Sequence, residues 1–417
     1  MCFRFFCIAV SPMSAQLDFR DKAFRRDPHE EFARMRALDS IVEAKGLGAQ
    51  VVVRYHESKE LLKDRRLQLD HFNREQFPAG HPMQAYFRMR DGLMLFANTP
   101  RHQELREPAK DAFAPKGIKR YEKIIREVAQ KSVSNLKSAL EEGRSVEFIK
   151  EISLPFVSEV ICRVVGMPEQ DHLQLSSMTQ SIADGLDPFG PQHSLERAGE
   201  GYVRFREYMA GEINRGRWRK SADEFVNSFL GDIAHCPHML GGFQSHDDLI
   251  STTVMLLSAG HLTTNHSLAL SLVSLLSDPD HSTLLTEGAS PVTQLMIEEL
   301  FRYHAPAQIT RRRVVEEINI AGHCLAPGQA IWIAIASANR DESVFHNPQE
   351  LDFTRKPNPH LSFGGGEHFC LGLHLARLQL RVFLEELQGA IPDLKIGRIV
   401  HDHNIIFRGI KQLELTY

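Results

Sequence analysis

The sequence predicts a mainly α protein with a small, discontinuous β region, and three observations carry that reading. Apolar residues recur at helical spacing through most of the chain, as in RRDPHEEFARMRAL and KRYEKIIREVAQKSVSNLKSAL. Behind Asp247 and Asp248 runs LISTTVMLLSAGHLTTNHSLALSLVSLLS, which holds no charged residue and suits a long helix buried on every side. The Ser, Thr, His and Asn residues in its middle argue against a lone membrane span. Strand signals, finally, are few and local. They are AQVVVRY near the N-terminus, then INIAGHCLAPGQAIWIAI, where Pro327-Gly328 marks a turn between two apolar runs, and last HNIIFRGIKQLELTY, read as a closing hairpin.

At 417 residues, 42 % hydrophobic and 24 % charged, the composition is that of an ordinary globular protein. A net charge of −4 gives no reason to expect nucleic acid or a membrane surface as partner. No repeat, low-complexity tract or Gly/Ser-rich linker divides the chain, so residues 13–417 are expected to form one domain. The opening MCFRFFCIAV is apolar, only about half the length of a membrane span and broken by Arg4, so residues 1–12 read as a non-structural extension. Cys2, Cys7, Cys162, Cys236, Cys324 and Cys370 are scattered without a C-x-x-C pair. That pattern suggests neither a zinc site nor a disulfide framework, and a reducing, cytoplasmic setting fits it best.

One cysteine stands apart. In FGGGEHFCLG, Cys370 precedes LGLHLARLQLRVFLEELQGAI, which has leucines at helical spacing. It therefore sits at or just before a helix N-terminus, where free N–H groups and the helix dipole favour a thiolate. Gly364, Gly365 and Gly366 let the backbone turn tightly and lie against something large and flat. A shielded thiolate of this kind is a ligand for haem iron; a structural cysteine in a Gly-rich turn is the plain alternative. In NTPRHQELREPAKDAFAP, Thr99 can cap a helix with Pro100 in its first turn, which puts His102 and Arg106 on one face. In EELFR, Glu299 and Arg302 are spaced to pair along a helix. In AGHLTT, Gly260 interrupts the long helix at a cost of about 1 kcal/mol relative to alanine.

FGGGEHFCLG followed by LHLAR resembles the cysteine-ligand loop of the cytochrome P-450 family, with Phe363, Gly366, His368, Cys370, Gly372, Ala376 and Arg377 at the family's positions. NTPRHQELREPAKDAFAP, AGHLTT, EELFR and ITRRRVVEEINIAG occur in the family's order, so the resemblance runs from about residue 18 to the end of the chain. It implies the triangular helical prism with a long central helix. It also implies haem b with an axial thiolate from Cys370, in a loop that includes Phe363 and Gly364. His102, Arg106, Arg312 and His368 take the positions of propionate ligands. Arg311 and Arg313 leave that register open by one, and His360 is a further candidate. Glu299, Arg302 and Arg355 match a buried structural network.

Gly260 matches the small residue that opens a dioxygen groove, and Thr263 the threonine that helps deliver protons. The family usually has an acid before that threonine; this chain has Leu262. The titratable neighbour His261 lies about a third of a turn away. By position, the substrate pocket draws on Phe87 and Leu95 in a stretch that also holds Phe72 and Phe77, on Ala259, on Ala307 and Ile309, and on Ile406.

The resemblance thus implies a monooxygenase inserting one oxygen atom from O2 into a C–H bond of a medium-sized lipophilic substrate, a lipid or secondary metabolite. No flavin, nicotinamide or iron–sulfur fingerprint occurs, so electrons must come from a separate ferredoxin or flavodoxin. Lys110, Lys116, Lys119, Arg120, Lys123 and Arg126 are a candidate docking face, although interleaved acids also suit a solvated surface. The protein is expected to be a monomer without a membrane span. Leu262 keeps a second reading open: a haem-thiolate enzyme with atypical proton delivery, driven by peroxide or performing dehydration, coupling or ring closure.

Overall fold

In the computed structural model, the residues described are 15–69, 81, 83–185, 187, 192–215, 228–235, 242–402 and 404–417. The extension 1–12, Phe72 and Phe77 lie outside them.

Everything is arranged around the helix His246–Ser277. Ser245 caps it, its Oγ accepting from the Asp248 N–H at 3.1 Å, and Asp247 and Asp248 fall in the first turn, where the dipole favours negative charge. Arg101 holds the Asp248 carboxylate at 3.1 Å. Because the helix is apolar all round, it is wrapped by other elements on most of its circumference. Leu154–Val165, His172–Asp184, Gln192–Arg215, Gln294–His304 and Leu373–Leu387 all pack on it. The expected helix at Glu122–Glu141 lies behind, against Leu373–Leu387.

The β region is discontinuous, as expected. Six strands form one mixed sheet: β1 (Gln16–Leu17), β2 (Ile41–Ala44), β3 (Ala49–Val52), β4 (Leu67–Gln68), β6 (Thr310–Val314) and β9 (Ala330–Ile333), in the order β1-β2-β3-β9-β6-β4. Strand β5 (Val146–Glu147) joins β10 (Lys395–Asp402) and β11 (Gly409–Thr416), and β7 (Ile318–Ile320) pairs with β8 (His323–Leu325).

Two sequence expectations change. INIAGHCLAPGQAIWIAI makes three strands, because Ala321 (φ 48°) and Gly322 (φ 81°) form an extra tight turn before Pro327-Gly328. The tail supplies only one strand of its hairpin; the partner, β10, comes from KIGRIVHD, whose apolar content is too low to announce a strand.

Two cores result. The larger lies among the helices, and the smaller, with Phe19, Phe32 and Trp332, lies between the six-stranded sheet and the N-terminal helices Lys22–Arg26 and His29–Leu38. Between them sits a buried ion network that matches the expectation for Glu299, Arg302 and Arg355. Glu299 and Arg302 are fully buried. The Glu299 carboxylate accepts from Arg302 Nε at 2.8 Å and Nη2 at 2.7 Å, from Arg355 Nε at 3.1 Å, from Asn358 Nδ2 at 3.0 Å and from the Asp352 N–H at 2.9 Å. Arg302 also donates to the carbonyls of Asn339, Pro348 and Glu350.

Burial opposes the Glu299 charge, but the Arg302 hydrogen bond and the other donors prevail and hold its pKa below the ordinary 4.5. A depressed folded-state pKa gives stability that is present above the unfolded value and is lost as pH falls below it. Glu299→Gln leaves Arg302 and Arg355 without their shared counter-charge and should cost about 3–5 kcal/mol at neutral pH, with a smaller difference from wild type under acid conditions. Urea unfolding at the two pH values measures this; equal midpoints would contradict the network's role.

Candidate active site

The loop before Leu373–Leu387 is fixed first by its backbone. The Gly364 N–H donates to Leu361 O at 2.8 Å and the Cys370 N–H to Phe363 O at 2.9 Å, closing the loop on itself. Gly366 has φ 65°, and a Cβ there would stand 2.5 Å from Leu62 O, so only glycine fits both the conformation and the close approach. The loop is pinned to Gln294–His304 through Ser362, whose hydroxyl donates to Phe301 O at 2.7 Å. Asn339 Nδ2 donates to that hydroxyl at 2.7 Å, and Asn339 Oδ1 accepts from the Leu361 N–H at 2.7 Å.

Cys370 is thereby held two residues before the helix N-cap, Gly372. Burial pushes its thiol pKa up, with the Gly372 N–H and the Arg106 and Arg377 charges pulling the other way.

Four cationic or donor side chains gather near the loop. His102 is 2 % exposed and its ring lies 4.3 Å from the His368 ring, centroid to centroid. Arg106 Nη2 donates to Phe369 O at 2.7 Å. Of the three consecutive arginines on β6, Arg312 is buried, Arg311 half-buried and Arg313 exposed. The Arg312 guanidinium donates to Thr310 Oγ1 at 2.7 Å and Arg311 O at 2.8 Å, without a carboxylate hydrogen bond among the described residues. Burial lowers its pKa to about 10, with Glu367 opposing. Burial, then Arg312, His102 and Arg106, push His368 down to about 3. His360 does not join them; its Nε2 lies 3.1 Å from Glu298, which Arg377 also holds at 2.7 Å.

Thr99 is not the helix cap expected. Its hydroxyl donates to Glu367 at 2.7 Å, and Pro100 occupies the cap position of Arg101–Arg106. Glu367, an acid that acts on both His102 and Arg312, was legible only as a carboxyl next to His368.

Midway along the central helix, burial breaks in a window between Ser258 and Thr263: Ala259 is exposed and Ser258, Gly260, Leu262 and Thr263 are half-exposed, while Leu257 before them and Thr264 after them are closed off. Ala259 and Thr263 are four apart and share that face, and the Thr263 hydroxyl donates to Ala259 O at 3.1 Å.

His261 is a correction. It lies about 200° round from both and is buried on the opposite face. Its Nε2 is 2.9 Å from Ser176 Oγ and its Nδ1 3.4 Å from Ser158 Oγ. Burial, with His266 and His172, brings its pKa to about 4. Gly260 also turns from the window: a Cβ there would meet Ile161 Cδ1 at 2.9 Å, so the glycine admits the Leu154–Val165 helix.

The expected pocket residues divide. Leu95 is 45 % exposed on a short turn, Met94–Phe96, beside the central helix. Phe87 and Ile309, each 3 % exposed, are closed into the two cores and serve packing. Ala307 is half-exposed and bridges Phe407 in antiparallel fashion, so those two share a face. Ile406 faces the other way and packs on the smaller core, which makes Phe407 the tail residue beside Ala307.

The geometry suits a flat, dianionic macrocycle carrying iron. A cysteine is presented from a backbone-fixed loop, and among the described residues a buried arginine has no carboxylate hydrogen bond and His102 Nδ1 is buried without a partner. Comparison with known proteins decides the family. A cytochrome P450 family profile matches residues 241–387. The cytochrome P450 105A3 of Streptomyces carbophilus is 31 % identical over 387 residues, spanning 91 % of this chain and 90 % of that protein.

The chain belongs to the cytochrome P450 family.

The biotin biosynthesis cytochrome P450 of Bacillus subtilis (strain 168) is 29 % identical over 399 residues, 94 % of this chain and 97 % of that one. The crystal structure of P450BioI in complex with hexadec-9Z-enoic acid ligated acyl carrier protein superposes with a TM-score of 0.83 at 28 % identity, covering 95 % of this chain and 99 % of that chain. As a cytochrome P450 the protein is a haem-thiolate monooxygenase, with haem b and an axial cysteine thiolate. Among the described residues, no helix is long and apolar enough to cross a membrane.

Cys370→Ser should abolish the strongly red-shifted Soret band of the dithionite-reduced, carbon monoxide-bound protein; a band indifferent to the substitution would remove Cys370 as ligand. His261→Asn should leave that band in place while lowering stability by about 1–3 kcal/mol, as Ser176 loses its buried partner. A changed spectrum would return His261 to the site.

Proposed function

We propose that this cytochrome P450 hydroxylates a C–H bond of a medium-sized lipophilic substrate, a lipid or secondary metabolite, as a monomer served by a separate ferredoxin or flavodoxin. The observation that carries it is the window at Ala259 and Thr263, a mid-helix break in the burial of the central helix, in a protein whose Cys370 loop suits haem. Haem held by the Cys370 thiolate supplies reductive activation of O2 and oxygen insertion. The remaining roles fall to side chains. Arg312, His102, Arg106 and His368 neutralise and orient the propionates. The Thr263 hydroxyl, bound to Ala259 O at 3.1 Å, is the group at the window able to accept one proton and donate another. Leu95, Ala307 and Phe407 exclude water and offer apolar contact. The fatty acyl ligand of P450BioI supports a lipid-like substrate here.

Lys116, Lys119 and Lys123 are exposed on Pro115–Lys119 and Glu122–Glu141, helices that pack against Leu373–Leu387, and so suit an acidic carrier. Arg126 is engaged with Glu385 and Glu386, Arg120 with Asp232 and Lys110 with Glu107, which leaves a smaller docking set than the sequence offered.

A second reading gains from one observation. With His261 turned away and leucine at 262, the helix brings no acid to the window beside Thr263. A peroxide-driven enzyme, or one performing dehydration, coupling or ring closure, has less need of that acid. Turnover of lipophilic substrates with a reconstituted electron chain, beside turnover with hydrogen peroxide, separates the two: a large preference for the electron chain supports hydroxylation, and comparable rates support the second reading. Leu262→Asp should raise the fraction of electrons recovered as product if proton supply limits the cycle. No gain would mean that water or a substrate group already supplies the proton.

A further inference from the structure

The central helix carries a second buried histidine, and its surroundings differ from those of His261. His266 is 4 % exposed, and both its ring nitrogens are buried without a hydrogen-bond partner among the described residues. A neutral imidazole has one N–H to donate and one lone pair to accept, and leaving both unmet in a dry interior is costly. His261 avoids that cost through Ser176 and Ser158. The polar side chains beside His266 are engaged elsewhere: Asn265 accepts from Ser153 Oγ, and Ser267 Oγ donates to Thr263 O at 2.8 Å. Two unmet groups on one buried ring mark a place for ordered water.

The position ties this ring to the window. His266 follows Thr263 by three residues, about 60° round the helix, and so shares the face of Ala259, Leu262 and Thr263 one turn further on. Side chains at this spacing stand about 5–6 Å apart at Cβ, a gap that one water can bridge. The Thr263 hydroxyl donates to Ala259 O, which leaves its lone pairs to accept.

On its other side the ring lies against the β10–β11 hairpin. A Cβ at Gly409 would collide with Nδ1, Cε1 and Cγ of the ring, so glycine is what lets His266 reach the strands. Asp402 is the cross-strand partner of Gly409 and is half-buried, at the margin of the solvent. Burial brings the His266 pKa down to about 4, with Asp402 the charge that opposes it. The resting imidazole is therefore neutral and can gain a proton at one nitrogen while losing one from the other.

Resting on the reading that Thr263 passes protons at the window, we propose that His266 is a further proton-relay residue of this enzyme, standing in for an acid at position 262. A proton moves from solvent by way of Asp402 to one ring nitrogen, and the other nitrogen releases its own to a bridging water. That water hands a proton to Thr263 Oγ as the hydroxyl gives its proton up at the window. No net charge accumulates, and the route runs equally in reverse.

The test needs neither substrate nor electron chain. Hydrogen cyanide, neutral at neutral pH, must surrender its proton when cyanide binds ferric haem, whereas carbon monoxide binds ferrous haem with no proton to lose. Association rates of both with the haem-loaded enzyme are read from the Soret change by rapid mixing. His266→Phe and Thr263→Val should each slow cyanide about ten-fold or more and leave the carbon monoxide rate unchanged. Asp402→Asn, at the half-buried end of the route, should slow cyanide by a smaller factor. A cyanide rate that falls in Thr263→Val and not in His266→Phe overturns this proposal alone. Unchanged cyanide rates in both variants remove Thr263 from proton transfer as well. Equal slowing of cyanide and carbon monoxide in His266→Phe would make the ring a packing residue and overturn the relay. If His266→Phe does not retain haem, Asp402→Asn decides, and an unchanged cyanide rate there overturns the proposal.

Discussion

A fully buried carboxylate, Glu299, governs the rest of this architecture. Charges are expensive to bury, and Glu299 is tolerated because five donors from four residues converge on it. Those donors come from its own helix and from residues 352–358, so the helix and the irregular segment ahead of the Cys370 loop are locked as one body. The lock extends through Asn339 and Ser362, which bind the loop backbone to the same helix. The cysteine loop has glycines where most loops have side chains, so it contributes little packing of its own. Its position is borrowed from this network.

A similar economy governs the central helix. Its apolar circumference lets helices pack on it from many sides, and the same packing makes any break in burial informative. Its polar residues meet different surroundings. His261 is absorbed, between Ser158 and Ser176; Thr263 is left facing out. Two polar groups only two residues apart thus meet unrelated surroundings, one a packed helix seam and the other open space.

The charge distribution follows the same logic. Arg312, His102, Arg106 and His368 converge where the family places a dianionic cofactor, and burial depresses the pKa of each of them until such an anion is present. Arg340 and Arg408 are withdrawn from water in the same way, on the far side of the Ala307–Phe407 wall.

The sequence by itself determined the fold class, the central helix, the cysteine loop, and the pairing of Glu299 with Arg302. Each of these rests on local information: periodicity, glycine content, or residues three or four apart on one helix. It did not determine which of Arg311, Arg312 and Arg313 turns inward, because a strand alternates its faces and only the partner strands decide which face is buried. Nor did it reveal β10, the desertion of the site by His261, or the exchange of Ile406 for Phe407, since each depends on what lies across a packing surface. Gly260 shows the limit most plainly. The sequence announces a costly glycine in a helix, and only the approach of Ile161 from a distant helix explains where the missing side chain would have gone.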